Sequence, residues 1–301
     1  MKHVFIVNPV AGKGKIAKAY IETIENYVKE HNMDAEIYIT RASRDGMKHV
    51  EELASTGEEI RFYSCGGDGT LYEVVNGCYK YPNCQVANIP LGSGNDFCRL
   101  FGKNTNLDDH VNGVPMKLDL IETDGTVAIN ECAMGLDSEI CAKQGDFKKL
   151  PGVNGEMAYT VAALYCLMGK YKNGFKITID DEEVFEDDYL FCYIGNSRWY
   201  GGGYMAAPNA MPNDGLLDVV MVRSDRGRLK LLPLIPGYKK GTHLDWEITT
   251  FRHAKKVKIE SKAPAAVNVD GECAYVTERE FKILEGAINF VVPKGSKFLD
   301  M

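Results

Sequence analysis

The residues best suited to chemistry in this 301-residue chain lie in the segment CGGDGTLYEVVNG, residues 65–77. A predicted strand ends and a predicted helix begins within it. Its glycines let the backbone approach phosphate oxygens closely, and the N–H groups at the start of the helix favour an anion. Asp68 can hold Mg²⁺ or a water bound to Mg²⁺. The alternative is a tight turn in which Asp68 or Thr70 only caps the helix.

Two more loops also follow predicted strands. The first, NPVAGKGK (8–15), matches neither the Walker A pattern nor the dinucleotide fingerprint, so alone it is weak evidence for a nucleotide site. The second, PLGSGNDF (90–97), carries Asp96 and two candidate helix caps, Ser93 and Asn95. Because the carboxyl ends of parallel strands meet at one edge of a sheet, three loops with glycine, hydroxyl and acidic groups are expected to converge there.

Two acidic turns stand out in the second half. In APNAMPNDGLLD (207–218), crowded oxygen ligands around Asp214 suit a hard cation, although an ordinary Asn-Asp-Gly turn explains the spacing equally well. In VNVDGEC (267–273), Asp270 or Glu272 could take the proton of an attacking alcohol. The alternative there is a plain hairpin turn, for which Asp-Gly is common.

Hydrophobic periodicity shows which elements position these loops. Residues 1–120 alternate short apolar strands (3–9, 35–40, 61–67, 85–92) with helical patterns (15–31, 44–55, 70–80), and a short helix is expected from Ser93 or Asn95. Such alternation predicts parallel strands with helical crossovers, a doubly wound α/β domain. Residues 121–301 read mostly as strands, with helices near 137–147, 155–170 and 226–236, which predicts an antiparallel sandwich domain. The last strand could return to the first domain.

Composition narrows the function further. A formal net charge of −7 gives no overall attraction to nucleic acid, and the six histidines fall outside every motif. The nine cysteines form no C-x-x-C pair, which favours reduced, mostly buried thiols and a cytoplasmic location. No segment approaches the ~20 apolar residues of a membrane span. Helix 155–170 is read as core, or else as a wall for lipid chains with Lys148, Lys149, Lys170 and Lys172 facing anionic headgroups.

Taken together, FIVNPVAGKGK, CGGDGTLYEVVNG, PLGSGNDF, GNSRWYGGGYMAAPNAMPNDGLLDV and VNVDGE resemble the bacterial diacylglycerol kinase catalytic-domain family, to which sphingosine and ceramide kinases are related. The blocks follow the family's order from residue 5 to 272. GGDGT alone is less specific, because NAD kinases and phosphofructokinases carry a similar string. The resemblance implies a Rossmann-like nucleotide-binding domain, a C-terminal β-sandwich and a nucleotide crevice shared by the two.

The resemblance also implies roles for individual residues. Asp270 or Glu272 would be the base, and Asp68 and Asp96 would organise the catalytic Mg²⁺. Met211, Asp214 and Leu216 would hold a Mg²⁺ at the sandwich turn. Ser93 stands where the family commonly has threonine, which keeps the hydroxyl. The residues expected around ATP are Asn8, Pro9, Val10, Ala11, Gly12, Thr40, Gly66, Gly67, Asp68, Gly69, Thr70, Leu71, Tyr72, Glu73, Ser93 and Asp96.

The function expected from this resemblance is transfer of the γ-phosphoryl group of ATP to the hydroxyl of a membrane lipid, first of all diacylglycerol to give phosphatidic acid. The expected location is cytoplasmic and peripheral to the inner membrane surface, with no nucleic-acid partner. Other acceptors stay open, namely NAD, a sphingoid base or a polyprenol, as does a nucleotide-binding regulator without activity. The sequence leaves the oligomeric state open, a homodimer among the options.

Overall fold

The computed structural model describes residues 1–147, 155–169, 172–225 and 227–300. The chain divides into two compact units. The first unit comprises Met1–Asp119 and Glu285–Met301, and the second comprises Leu120–Leu284. The chain therefore returns to the first unit for its last segment. The prediction placed the boundary at 120/121 and left that return open.

The first unit is an α/β structure. Its strands are β1 (Lys2–Val7), β2 (Ala35–Ile39), β3 (Ile60–Gly66) and β4 (Cys84–Pro90), and its helices are α1 (Lys15–Glu30), α2 (Asp45–Ala54), α3 (Asp68–Cys78) and α4 (Leu107–Val111). The strands pair in parallel in the order β2-β1-β3-β4. Phe290 and Val291, near the end of strand β13 (Glu272–Val292), continue the parallel pairing beyond β4.

Burial explains why these strands read as unbroken apolar runs. Val4, Phe5, Ile6 and Val7 of β1 are all fully buried, and every residue of β3 is buried. Because a parallel strand covered on both faces has no side that faces solvent, its sequence does not alternate between apolar and polar residues. Helix α1 in contrast buries only Ala17 and Ile24 fully, so one stripe of it packs on the sheet. This arrangement confirms the predicted α/β class and brings the ends of β1, β3 and β4 to one edge.

The second unit is mainly antiparallel. Its remaining strands are β5 (Val114–Thr123, which begins in the first unit), β6 (Thr126–Ala128), β7 (Glu131–Gly135), β8 (Asn173–Ile179), β9 (Glu183–Gly195), β10 (Leu217–Arg223), β11 (Thr249–Ala254) and β12 (Lys256–Val269). Antiparallel pairs run in the order β11-β10-β9-β7-β12-β13, and β8 pairs with both β12 and β9. The predicted change to antiparallel strands is confirmed.

Helices α5 (Leu136–Phe147) and α6 (Gly155–Met168) interrupt these strands close to their predicted positions. The helix predicted at 226–236 is instead broken into α7 (Arg228–Leu231), a 3₁₀ turn (Leu232–Leu234) and α8 (Ile235–Lys239). Pro233 and Pro236 lack the N–H that a continuous helix needs there. The short helix expected from Ser93 or Asn95 is a 3₁₀ segment that begins at Phe97.

Candidate functional site

Three loops of the first unit meet at the carboxyl edge of its sheet; residues 8–15, 66–70 and 91–97 are called the carboxyl-edge loops below. The N–H groups of Leu91 and Gly92 donate to the carbonyl of Gly66 over 2.8 and 3.0 Å. Asn8 Nδ2 donates to Thr70 Oγ1 over 3.5 Å. The loops predicted to converge from separate strands are therefore joined by direct hydrogen bonds.

The contact between two of these loops depends on the absence of side chains. A Cβ atom built on Gly92 would collide with Gly67 Cα, which is a backbone atom with little room to move. The two backbones can approach this closely because Gly92 has no side chain, whereas a Cβ on Gly67 would make an ordinary contact of 3.4 Å with Gly92 Cα. The sequence predicted glycines for phosphate contact, and the structure adds packing of one loop on another.

Asp68 and Asp96 form an acidic pair within the carboxyl-edge loops. Asp68 Oδ1 accepts a hydrogen bond of 2.8 Å from the backbone N–H of Asp96. Burial, followed by the negative charge of Asp96, raises the pKa of the Asp68 carboxyl. Asp96 is itself paired with Arg99, whose Nε lies 2.9 Å from Asp96 Oδ1. Two carboxylates held side by side are suited to a divalent cation. Arg99 pairs with Asp96 and not with Asp68, so the charge of Asp68 is the one offered to the cation.

The remaining edge groups are backbone donors and small polar side chains. Gly12, Lys13 and Gly14 all have positive φ, at 58°, 60° and 78°, a run that can turn successive N–H groups toward an anion. Among the described residues, no side chain caps the first N–H groups of α3. Thr40 follows β2, and its N–H donates to Val7 O over 3.0 Å, so it lies beside the end of β1. These groups suit phosphate oxygens.

Three of the side chains predicted near the nucleotide, those of residues 71–73, are engaged in packing or in other hydrogen bonds. Leu71 and Tyr72 are buried, at 1% and 6% exposure. Glu73 accepts hydrogen bonds from the backbone N–H groups of Arg44 (2.8 Å) and Met47 (3.3 Å), so its carboxylate serves the start of α2. Pro9, Val10 and Ser93 are exposed, whereas Ala11 is buried. The side chains that reach the edge are therefore fewer than the motif suggests.

In the second unit, Asp270 and Gly271 form the two-residue turn that joins β12 to β13, with φ of 48° and 99°. Positive φ at both positions is typical of a type I′ hairpin turn, so the plain structural interpretation of this motif is right as far as it goes. The Asp270 carboxylate accepts hydrogen bonds from the backbone N–H groups of Ile129 (2.7 Å), Asn130 (3.1 Å) and Glu131 (2.8 Å). Glu272 is exposed.

A second carboxyl group lies behind this turn. Glu131 is 3% exposed, and its Oε1 accepts a hydrogen bond of 2.6 Å from Asn268 Nδ2. Burial and then the charge of Asp270 raise the pKa of Glu131 well above its ordinary value. Asn268 also receives the N–H of Gly271 at Oδ1 over 2.7 Å. Buried polar residues thus hold the turn in place, whereas the Glu272 side chain is exposed to solvent.

The predicted cation turn is compact. The N–H of Asp214 donates to Met211 O over 3.4 Å, and the N–H of Leu216 donates to Asp214 Oδ1 over 3.0 Å. Asp218, to which the sequence analysis gives no role, is 1% exposed; its Oδ1 has no hydrogen bond among the described residues, and His253 Nε2 lies 3.8 Å from it. Burial and then the charge of Asp214 raise the pKa of Asp218 to about 7. A buried carboxyl oxygen that accepts no hydrogen bond, beside a second carboxylate, fits a cation site.

A narrow apolar cleft in the second unit, called the Asp137 cleft, was not predicted from the sequence. It encloses about 90 Å³, and the residues lining it include Ile140, Phe191, Tyr204, Val222, Leu234 and Trp246. Asp137 is the acidic group of this lining, and its Oδ2 accepts hydrogen bonds from the hydroxyls of Tyr200 (2.8 Å) and Tyr238 (3.2 Å). The sequence signal for it was one aspartate two residues after the buried strand ECAMG.

We expect the stability of Asp137→Asn, relative to the native chain, to rise with pH. Burial raises the pKa of Asp137 to about 7, against the tyrosine hydrogen bonds, which lower it. An unfolded aspartate ionises near pH ~3.9. The folded state therefore binds more protons between these values, and its stability falls as pH rises from about 4 to about 7. Asparagine keeps an acceptor for the tyrosines but does not titrate.

Urea unfolding at several pH values measures this difference. The exposed Asp245→Asn is the matched control, for which no such trend is expected. A constant difference between Asp137→Asn and the native chain across this pH range would contradict the protonated state of Asp137.

A larger cavity of about 500 Å³, called the Lys143 cavity, is also lined by Leu136, together with residues that include Lys143 and Tyr275. Glu139 on its wall is bound by Lys143 and accepts a hydrogen bond of 2.8 Å from the hydroxyl of Tyr275. Lys148, Lys149 and Lys170, predicted to face headgroups, lie outside the described residues, and Lys172 is exposed. Within the described part of the chain, no helix is both long and apolar enough to cross a bilayer.

Comparison with protein families decides where the chain belongs. Residues 2–127 match the family model described as diacylglycerol kinase catalytic domain, and residues 131–292 match the model described as YegS C-terminal NAD kinase beta sandwich-like domain. The chain belongs to the diacylglycerol kinase catalytic-domain family. The resemblance found in the sequence is confirmed, and the two models account for the α/β unit and for the antiparallel unit of this lipid kinase family member.

Individual relatives agree with this family. A diacylglycerol kinase from Mycobacterium tuberculosis is 29% identical over 303 residues, covering 96% of this chain and 94% of the relative. A crystal structure of a diacylglycerol kinase from Bacillus anthracis covers 98% of both chains with a TM-score of 0.70 at 22% identity. An NAD kinase from Archaeoglobus fulgidus in complex with ATP covers 100% of this chain and 96% of its own, with a TM-score of 0.54 at 14% identity. At these low identities the two structures show the shared fold.

Proposed function

We propose that this chain is an ATP-dependent lipid kinase that phosphorylates the hydroxyl of diacylglycerol. Membership of the diacylglycerol kinase catalytic-domain family supports the proposed kinase activity. The observation that carries the lipid acceptor is the Asp137 cleft, whose walls are almost wholly apolar. Such walls favour acyl methylene groups, each worth about 0.8 kcal/mol when removed from water, over a charged dinucleotide.

The carboxyl-edge loops are proposed to bind ATP. Backbone N–H groups of the Gly12–Gly14 run and of the start of α3 would receive phosphate oxygens, and Asn8 and Thr40 lie at the same edge. ATP in the related NAD kinase fold supports the choice of nucleotide. Most of the catalytic work in phosphoryl transfer is positioning and charge neutralisation, which these groups can supply.

Two sites are proposed for Mg²⁺. Asp68, with Asp96 beside it, would hold the ion that accompanies ATP, because this pair concentrates negative charge at the edge. Asp214, with the carbonyl oxygens of Met211 and Leu216 and with Asp218, would hold a second ion at the sandwich turn. When bound, Mg²⁺ neutralises charge on the phosphate oxygens.

Glu272 is proposed as the base rather than Asp270. Three backbone N–H groups engage the Asp270 carboxylate, which fits a role in fixing the turn. Glu272 is exposed and follows that fixed turn directly. Its carboxylate would accept the proton of the lipid hydroxyl while the hydroxyl oxygen attacks the γ-phosphorus and the bond to the β-phosphate oxygen breaks, which releases ADP.

Peripheral contact with a membrane surface is part of this proposal. On the last turns of α6, Leu164, Tyr165 and Met168 are 46%, 58% and 79% exposed. Neighbouring exposed apolar groups on one helix are typical of an interfacial surface. A kinase whose acceptor resides in a bilayer needs such a surface to reach it.

A panel of acceptors tests the proposal. Purified protein is incubated with γ-labelled ATP and, separately, with diacylglycerol, monoacylglycerol, sphingosine, undecaprenol and NAD. Label in phosphatidic acid is the expected result. NAD is included because the second unit matches a sandwich described as NAD kinase-like. Label in NADP with none in lipid would refute the lipid acceptor.

We expect Ala163→Trp to raise the KM for a long-chain diacylglycerol at least tenfold, while the KM for ATP stays unchanged. Ala163 lines the Asp137 cleft, so an indole there occupies the space proposed for methylene groups. Losing the burial of about two methylenes, near 1.5 kcal/mol, corresponds to roughly tenfold. The measurement is initial rate against diacylglycerol concentration in mixed micelles.

Val184→Trp is the matched control, because Val184 is 54% exposed on strand β9 and does not line the cleft. If the native chain and Ala163→Trp had equal KM values for diacylglycerol, the Asp137 cleft would not be part of the acceptor site.

A further inference from the structure

The cysteines of this chain fall into two groups. All nine lie in the described ranges, and seven of them are buried. The two that are partly exposed, Cys141 and Cys273, are neighbours in space although 132 positions separate them in sequence. Burial makes the seven inert toward reagents in solution, so reactivity is concentrated in this one pair.

The pair lies directly on the turn that carries Asp270 and Glu272. Cys141 is on α5, and Cys273 is the second residue of β13. Both sulfur atoms lie 3.8 Å from the same carbonyl oxygen, that of Gly271. Cys141 is also the first of the groups that shift the pKa of the Cys273 thiol. Two thiols that share one backbone acceptor lie in the same small volume, which a disulfide between them requires.

The surroundings give the two thiols different roles. Gln144 Nε2 donates a hydrogen bond of 3.5 Å to Cys141 Sγ, which favours the thiolate there. The neighbouring Cys141 and burial raise the pKa of the Cys273 thiol, and the charges of Glu131 and Glu272 raise it further. Cys141 is therefore the thiol that reacts first, and Cys273 the one that follows.

We propose that Cys141 and Cys273 are a modification site that forms a reversible disulfide by exchange with a small-molecule disulfide. The Cys141 thiolate attacks one sulfur of the reagent, breaks its S–S bond and releases one thiolate. Cys273 then loses its proton to solvent, and its thiolate attacks the Cys141 sulfur and releases the second thiolate. The two protein thiols are oxidised, and one small disulfide is reduced to two thiols.

The disulfide has a consequence for the proposed kinase, and this part rests on the proposed function. A disulfide holds its sulfurs at about 2.0 Å, closer than any hydrogen bond, so closure pulls α5 and the Asp270–Glu272 turn together. Because misplacing a catalytic group by about 1 Å can cost ~10²-fold in rate, we expect oxidation to lower kinase activity at least tenfold. Reduction with dithiothreitol should restore it.

Peptide mapping after exposure to oxidised glutathione tests the site. We expect a Cys141–Cys273 cross-linked peptide in the folded native chain, with the seven buried cysteines unmodified. Cys141→Ser should take up no glutathione at Cys273, and Cys273→Ser should retain glutathione on Cys141. Both variants should keep the activity of the reduced native chain and should resist inactivation.

The absence of the cross-linked peptide, or a stable mixed disulfide on Cys141 of the native chain, would overturn the proposal. Loss of activity on oxidation that persists in both serine variants would overturn its effect on the turn. The mapping needs no kinase activity, so a chain that proves not to be a kinase still gives a decisive result for the disulfide.

Discussion

Glu272→Gln is expected to lower kcat for diacylglycerol phosphorylation by roughly 10²–10⁴-fold, the usual contribution of a positioned general base. Glutamine keeps the size and the hydrogen-bonding oxygen of the side chain but cannot accept a proton. Because Glu272 is exposed, the unfolding free energy should stay within about 0.5 kcal/mol of the native value. Initial rates, ATP binding by calorimetry and urea unfolding measure the three quantities.

Two comparisons sharpen this experiment. Glu278→Gln, an exposed glutamate on the same strand, should leave the rate unchanged. Asp270→Asn should lose both activity and stability, because an amide NH₂ would then face backbone N–H groups that now donate to a carboxylate, at a cost of about 1–3 kcal/mol. If Glu272→Gln turned over at the native rate, Glu272 would not be the base.

Asp68→Asn is expected to lower kcat/KM by roughly 10–100-fold, the usual loss when a group that supports a metal is neutralised. Because the pKa of Asp68 is raised by burial and by Asp96, its charge disfavours the folded state, and removing it should not lower stability. Asparagine can still accept the Asp96 N–H. Asp68→Asn is therefore expected to remove a charge from the carboxyl-edge loops without disturbing their structure. Its effect on the rate then reports the electrostatic role of Asp68.

A magnesium titration of the rate distinguishes this role from others. Activity of Asp68→Asn should recover in part as Mg²⁺ rises to high millimolar concentrations, and the exposed Asp34→Asn should follow the native curve. If the rate of Asp68→Asn matched the native rate at every Mg²⁺ concentration, Asp68 would have no part in binding the ion.

The elements of the first unit were predictable because its strands and helices differ sharply in apolar spacing. The buried runs at β1 and β3 and the single stripe of α1 each produce a clear pattern. The break in the helix predicted at 226–236 was harder to predict from the sequence, because packing decides whether two prolines bend a helix or divide it into α7 and α8. The 21-residue strand β13 was not expected, because its pairing with both β12 and β4 is long-range.

The candidate site was predictable where short motifs carry it and not where distant residues do. Glycines and acids within a few positions identified the carboxyl-edge loops, whereas the roles of Leu71 and Glu73 depend on what packs beside α3. Asp137 meets Tyr200 and Tyr238 across 63 and 101 positions. Asp270 likewise meets residues 129–131, which is why the sequence could not separate it from Glu272 as the base.

The measurement that tests the lipid kinase most directly is mass spectrometry of a total lipid extract after incubation with the protein and ATP carrying ¹⁸O at the γ-phosphate. We expect labelled phosphatidic acid from the native chain, and we expect Glu272→Gln to lower the rate of its formation by about 10²-fold or more. A lipid extract with no labelled phosphate, from protein that binds ATP, would contradict it.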